Sequence, residues 1–196
     1  MSKAERTRQF IIEKTAPIFN SKGYAGTSMQ DITNATGLTK GSIYGNFGNK
    51  DEVAVAAFDF NFGKITELVR SRLQEENTSI KKLLVYPDIH RNILKIPFLK
   101  GGCPLLNTSV DADDTHPMLK ARAANALNLW RSSIEKIINY GIETKEIKSN
   151  TNATEFAAIM ISLTEGAVMQ AKITGKSAEL DVTMDFLVKM IKELKK

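Results

Sequence analysis

Apolar residues in this chain recur at steps of three and four, and nowhere do several alternate strictly with polar ones, which leaves helix packed on helix as its architecture. From Glu5 to Lys22, the residues Phe10, Ile11, Thr15, Ile18 and Phe19 fall on one face of a helix that Gly23 can end. Pro17 removes a hydrogen bond to the Glu13 carbonyl inside it, so a kink is expected there. Ser28 with Asp31 three residues on forms a capping-box pattern opening a short helix, which Gly37 closes. Thr39 starts another that runs to about Phe47. Asn49 and Glu52 cap a fourth, from Lys50 to Glu75.

Pro87, Pro97, Gly101-Gly102 and Pro104 break up the middle, and short helices and turns are expected from Asn77 to Pro117. A helix then starts at Thr115-His116-Pro117, capped by Asp114 or Thr115, and reaches about Thr144. Asn152 and Glu155 cap the next, which ends near Gly175. The last runs from Glu179 to the C-terminus with Leu180, Met184, Leu187, Val188 and Ile191 aligned. The helix from Thr154 to Ile173 is apolar nearly all round and must be covered on several sides. Either it is the central helix of the body, or a second subunit covers one side in a four-helix dimer interface.

Charge is uneven along the chain. The first fifty residues carry seven basic side chains (Lys3, Arg6, Arg8, Lys14, Lys22, Lys40, Lys50) against three acids (Glu5, Glu13, Asp31), whereas the whole chain has a net charge of only +5. A basic head on a near-neutral body suits a polyphosphate partner, although chance clustering of surface lysines reads equally well from charge alone. The single cysteine, Cys103, cannot form an internal disulfide, which fits a reducing cytoplasm. No stretch is expected to reach the roughly 20 apolar residues that span a bilayer. Cys103, three aspartates and His116 lie close in sequence, but without zinc spacing. Neither a metal nor a cofactor is expected. No nucleophile–base pair or phosphate-cradling loop supports an enzyme.

Residues 28–47, SMQDITNATGLTKGSIYGNF, carry the informative pattern. Two short helices flank a turn at Gly37, with Met29, Ile32, Ala35, Leu38 and Ile43 spaced to pack against the first helix. The outward face of the second offers Thr39, Lys40, Gly41 and Ser42, small or hydrogen-bonding groups able to enter a major groove. Tyr44 presents a hydroxyl for a phosphate, and Asn46 can donate to one. Lys50 stands at a helix start where exposed N–H groups and a cation suit an anion, and Thr27 and Ser28 share that geometry.

The run from Ile11 through Val53 resembles the DNA-binding domain of the tetracycline-repressor (TetR) family. The match rests on Ile11, Ile12, Phe19, Gly23, Tyr24, Thr27, Asp31, Ile32, Gly37, Thr39, Lys40, Gly41, Tyr44, Phe47, Lys50 and Glu52. Departures are Thr33 and Thr36 in place of alanine, Gly45 for a larger residue and Asn46 for histidine. The resemblance implies an all-α homodimer: a helix-turn-helix domain over residues 1–50, and a helical ligand-binding and dimerisation domain over residues 51–196. It also implies a repressor that a small-molecule effector releases from a palindromic double-stranded DNA operator. The effector pocket would be reached by Phe58, Phe62, Phe98, Cys103, Leu106 and Trp130, and few inward charges favour a largely apolar ligand. The alternative is a helical small-molecule-binding protein that has lost DNA binding.

Overall fold

The computed structural model describes residues 2–196. Among them the regular structure is helical: α1 (Lys3–Lys22), α2 (Met29–Thr36), α3 (Lys40–Tyr44), α4 (Lys50–Gln74), α5 (Ser79–Arg91), α6 (Pro104–Ala112), α7 (Pro117–Glu143), α8 (Ala153–Thr174) and α9 (Ala178–Glu193). Two 3₁₀ turns, Ile93–Lys95 and Pro97–Leu99, lie between α5 and α6. An isolated antiparallel bridge joins Ile147 to Lys195.

Two compact units emerge. The first is the chain up to Ile65 together with Cys103–Ala126; the second is Thr66–Gly102 with Leu127–Lys196. A division after residue 50 therefore does not coincide with compactness. The N-terminal half of α4 and all of α6 pack with the head, because Asn61 donates to the Ala16 carbonyl at 2.8 Å and Asn107 donates to the Asn20 carbonyl at 2.9 Å.

In the first unit Ile11, Ile32, Ile43, Phe47 and Val53 are buried and form the core that holds α1, α2 and α3 together. Each such side chain contributes about 1.5–3 kcal/mol of transfer free energy. The helix ends follow the caps. Ser28 and Asp31 satisfy one another's backbone N–H groups at the start of α2, and Gly37 closes it in a left-handed conformation at φ 68°. Lys22 lies 2.7 Å from Asp31 and, with Ser28, holds that carboxyl well below the usual carboxylate range. α1 runs unbroken through Pro17, which sits on its exposed side. α3 ends at Tyr44, a turn earlier than the periodicity suggests. The start of α7 is capped by His116, whose Nδ1 accepts from the Leu119 N–H at 3.2 Å, rather than by Asp114 or Thr115.

In the second unit α5 persists for 13 residues with Pro87 buried inside it, where breakage was expected. Its start is held from outside: the Glu146 carboxylate accepts from the Ser79 and Ile80 N–H groups at 2.7 and 2.9 Å. A carboxylate at a helix N-terminus also complements the helix dipole. Gly141 in α7 lets Ile147 and Ser79 approach, since a Cβ there would lie 2.6 Å from Ile147 Cδ1.

α8 corrects one expectation. It is long and apolar enough, by length and composition, to cross a bilayer. Its charged residues interrupt the apolar run, which is why a search for an unbroken stretch passes over it. In the fold, Phe156, Ala157, Met160, Ile161, Ala167, Val168 and Ala171 are buried. α8 packs closely on α9 and also touches α5.

Candidate nucleic-acid interface

The outward face of the head is built by α3 and its flanks. Thr39 caps α3 by accepting the Ser42 N–H at 3.2 Å, which turns Lys40, Gly41 and Tyr44 to solvent. Tyr44 is 48% exposed, so its ring is only half packed and its hydroxyl is available. Gly41 has φ in the ordinary range and no near neighbour for an added Cβ except Thr39 Oγ1 at 3.9 Å; nothing inside the head requires a glycine there. Ser42 is half-buried. Asn46 is also half-buried, and its side-chain amide donates to the Ser42 carbonyl at 2.9 Å, closing α3.

The phosphate-binding expectations at the turn before α2 divide. Ser28 is exposed, with its hydroxyl held in the capping box. Thr27 is corrected: it is fully buried, and its hydroxyl donates to the Gly23 carbonyl at 2.6 Å, so its side chain braces the turn instead of meeting a ligand. Lys50 is half-buried. Its ammonium donates to the Tyr24 and Thr27 carbonyls, each at 2.9 Å, and lies 3.9 Å from the Tyr24 ring centroid. The cation therefore ties the start of α4 to the same turn.

Behind this face lies a polar cluster that sequence spacing does not reveal. The Tyr24 hydroxyl donates to Asp51, and that bond, with burial, pushes the phenol up to about 12. The Tyr24 ring meets His116 edge-on at 4.3 Å. His116 Nε2 is buried without a hydrogen-bond partner, 3.7 Å from Asp51. The Tyr24 N–H donates to Asp111 at 2.6 Å. Gly23 adopts φ 71°, ψ 179°, a region open to glycine alone, and Asp111 occupies the space a Cβ would need. These contacts fix the corner between α1 and α2 against α6 and the start of α7. A cavity of about 20 Å³ remains beside them, walled by Phe19, Tyr24, Phe58, Asn61 and Leu119 among others, enough for one water.

Phe58, Phe62, Cys103 and Leu106 belong to the first unit, Phe98 and Trp130 to the second. Phe58 and Phe62 stack at 6.0 Å, and only Phe58 reaches the small cavity. Trp130 stacks on His90 at 5.2 Å with the rings nearly parallel. His90 is fully buried, its Nδ1–H donates to the Tyr86 carbonyl at 2.7 Å, and burial lowers its pKa to about 4. Tyr86 is bonded to Ser133 at 2.9 Å, and burial raises its pKa. Among the described residues, no group of three His, Cys, Asp or Glu side chains is arranged to hold a metal ion.

Comparison with known proteins agrees with this geometry. Residues 11–57 match the family described as bacterial regulatory proteins, tetR family, and residues 79–187 match the tetracyclin repressor-like C-terminal domain. The crystal structure of a TetR-family regulator from Cytophaga hutchinsonii is 44% identical, covers 100% of this chain and 98% of its own, and superposes with a TM-score of 0.92. A TetR regulator from Chloroflexus aurantiacus is 36% identical, with the same coverage and a TM-score of 0.94. Among curated relatives, the transcriptional repressor DhaR of Mycobacterium sp. (strain GP1) is 27% identical over 175 residues, covering 89% of this chain and 86% of its own. The chain belongs to the TetR family of bacterial transcriptional regulators, DNA-binding proteins that respond to a ligand. The reading of a binding protein that has lost its DNA is not favoured, since the match over residues 11–57 takes in α2, α3 and the start of α4.

Proposed function

We propose that the chain acts as a homodimeric repressor whose two α3 helices enter successive major grooves of a palindromic operator, and that a small molecule releases it. The observation that carries this is the solvent-facing Lys40, Gly41 and Tyr44 on a capped helix whose opposite side, Ile43, is fully buried. Thr39, Lys40, Gly41 and Ser42 are the base-proximal set, and Tyr44, Asn46, Ser28 and Lys50 the phosphate set. Dimerisation uses α8 and α9. Ile159, Met169 and Ile173 on α8, and Val182 and Phe186 on α9, stand exposed by 40 to 77% on helices that already pack on each other. Covering them with the same face of a second copy makes a four-helix contact of two-fold symmetry.

The effector acts by preferring a dimer whose heads are spread from the operator spacing of about 34–36 Å, so linkage lowers DNA affinity. Trp130, against the buried His90, is the expected effector residue with the most distinctive surroundings. Proteins of this fold take unlike ligands: FadR of Bacillus subtilis, 17% identical, is solved with stearoyl-CoA, and a regulator of Saccharomonospora viridis, 18% identical, with choline. The protein works in the cytoplasm, where its DNA is.

The test is selection of bound genomic fragments by the purified chain, with the double variant Lys40→Ala/Tyr44→Ala as control. Wild type should enrich a palindromic site and the variant should not. Enrichment of the same site by both would refute the contact assignment. A chain that sediments as a monomer at micromolar concentration would refute the dimeric reading.

A further inference from the structure

We infer that Arg8 is a positioning residue for the recognition helix: from α1 it clamps the C-terminal end of α3 and so sets the pose in which α3 meets DNA. The inference rests on α3 being the DNA-reading element.

α3 has only five residues, with Gly41 inside it and Gly45 at its end, and a helix that short has no stability of its own. Its pose is whatever its ends are tied to. The N-terminal end is tied by Thr39. At the other end, the Ile43 carbonyl takes the Asn46 and Phe47 N–H groups, each at 3.0 Å, and the Ser42 carbonyl takes the Asn46 amide. The Asn46 carbonyl takes the Arg8 guanidinium at 2.5 Å, a bond that spans 38 positions of sequence. The same guanidinium lies flat enough on Phe47 for its Cζ to be 3.9 Å from the ring centroid, and Phe47 is 2% exposed. One planar group thus holds both residues that follow Gly45, and it places a cation at the negative end of the helix.

Arg8 is itself exposed, and its guanidinium is engaged at this end of α3, whereas the groove-facing groups Thr39 and Lys40 stand at the other end. Lysine replaces it poorly: an ammonium can bond a carbonyl beside a ring, as Lys50 does at Tyr24, but it has no planar face to lay on Phe47 and no rigid fork to fix the Asn46 carbonyl relative to that ring. Base contacts are lost when their scaffold shifts by about an ångström, whereas long-range attraction to phosphate is not. Arg8 therefore controls discrimination between sequences more than general affinity for DNA.

The test uses the full chain as wild type, Arg8→Lys and Arg8→Gln. The probes are the duplex that wild type enriches from a random-sequence pool and a scrambled duplex of equal length, titrated over a salt series. Both variants should bind the enriched duplex about tenfold or more weakly and the scrambled one within about twofold of wild type, with unchanged salt slope. Backbone amides from Tyr44 to Phe47 should exchange faster in Arg8→Lys than in wild type. Phe47→Leu, which keeps apolar bulk but removes the ring, should reproduce part of the loss, and Arg8→Lys added to it should cost less than in wild type.

Wild-type affinity in Arg8→Lys would overturn the inference. So would equal losses on both duplexes with a slope shallower by about one in Arg8→Gln alone, which is the signature of a phosphate contact. A wild type that enriches no sequence would overturn the DNA-reading assignment of α3 and this inference with it.

Discussion

Acidification should destabilise the second unit through His90. The imidazole is fully buried against Trp130, and burial lowers its pKa from 6.5 to about 4. Above pH 6.5 the ring is neutral both folded and unfolded, and it contributes no pH dependence. Between pH 6.5 and 4 the unfolded chain binds a proton that the folded chain refuses, so stability falls by up to about 1.4 kcal/mol per pH unit. Below the folded value both states are charged and the loss saturates at about 3 kcal/mol. From pH 7 to pH 5 the loss is about 2 kcal/mol, or about 1 M in the urea midpoint.

His90→Phe isolates this. Phenylalanine keeps a flat ring on Trp130 and gives up only the bond to the Tyr86 carbonyl, which as the carbonyl four residues earlier in α5 is placed to accept the helical N–H as well. Urea unfolding of wild type and variant at fixed protein concentration, from pH 7.5 to 4.5, gives the difference in stability at each pH. All other titrating groups cancel in that difference. Wild type should lose about 2 kcal/mol relative to the variant on going from pH 7 to pH 5. A difference that stays flat over that range would refute the argument, because it would mean His90 is no harder to protonate folded than unfolded.

Two substitutions test the corner that joins α1 to α2. Gly23→Ala puts a Cβ 2.6 Å from Asp111 Oδ1 in a backbone region closed to alanine, and should cost about 2–3 kcal/mol and lower the thermal midpoint by several degrees; an unchanged midpoint would show that the turn relaxes freely. Lys50→Met removes the cation bonded to the Tyr24 and Thr27 carbonyls, and should destabilise the chain by about 1–3 kcal/mol and speed amide exchange at Thr27 and Ser28. Wild-type stability would mean the two carbonyls are satisfied as well by water.

The order of helices and their caps were legible because they are local. The Ser28–Asp31 box, the turn at Gly37, the Thr39 start and the Asn152 cap depend on residues within one turn of one another, and the structure places each where the spacing does. The solvent face of α3 was legible for the same reason: Ile43 marks the buried side, and Lys40 and Tyr44 follow by helical geometry. Pro87 was misleading because a proline costs a helix one hydrogen bond, which α5 offsets by burying Leu83, Val85, Tyr86 and Ile89 and by borrowing the Glu146 carboxylate for its start.

What spacing could not reveal is where side chains far apart in sequence meet. Thr27 looks like an anion-binding threonine until Lys50, 23 positions on, closes on its carbonyl and its side chain is buried. Arg8, Asp111 and His116 look like ordinary surface groups until α3, the first turn and the start of α4 come to lie against them. The sequence by itself determined an all-helical chain with a helix pair whose exposed face suits DNA, because hydrophobic period and capping act over a few residues. Tertiary structure alone decided which polar groups hold that face in place, because burial and hydrogen bonding across tens of residues exist only once the chain has closed.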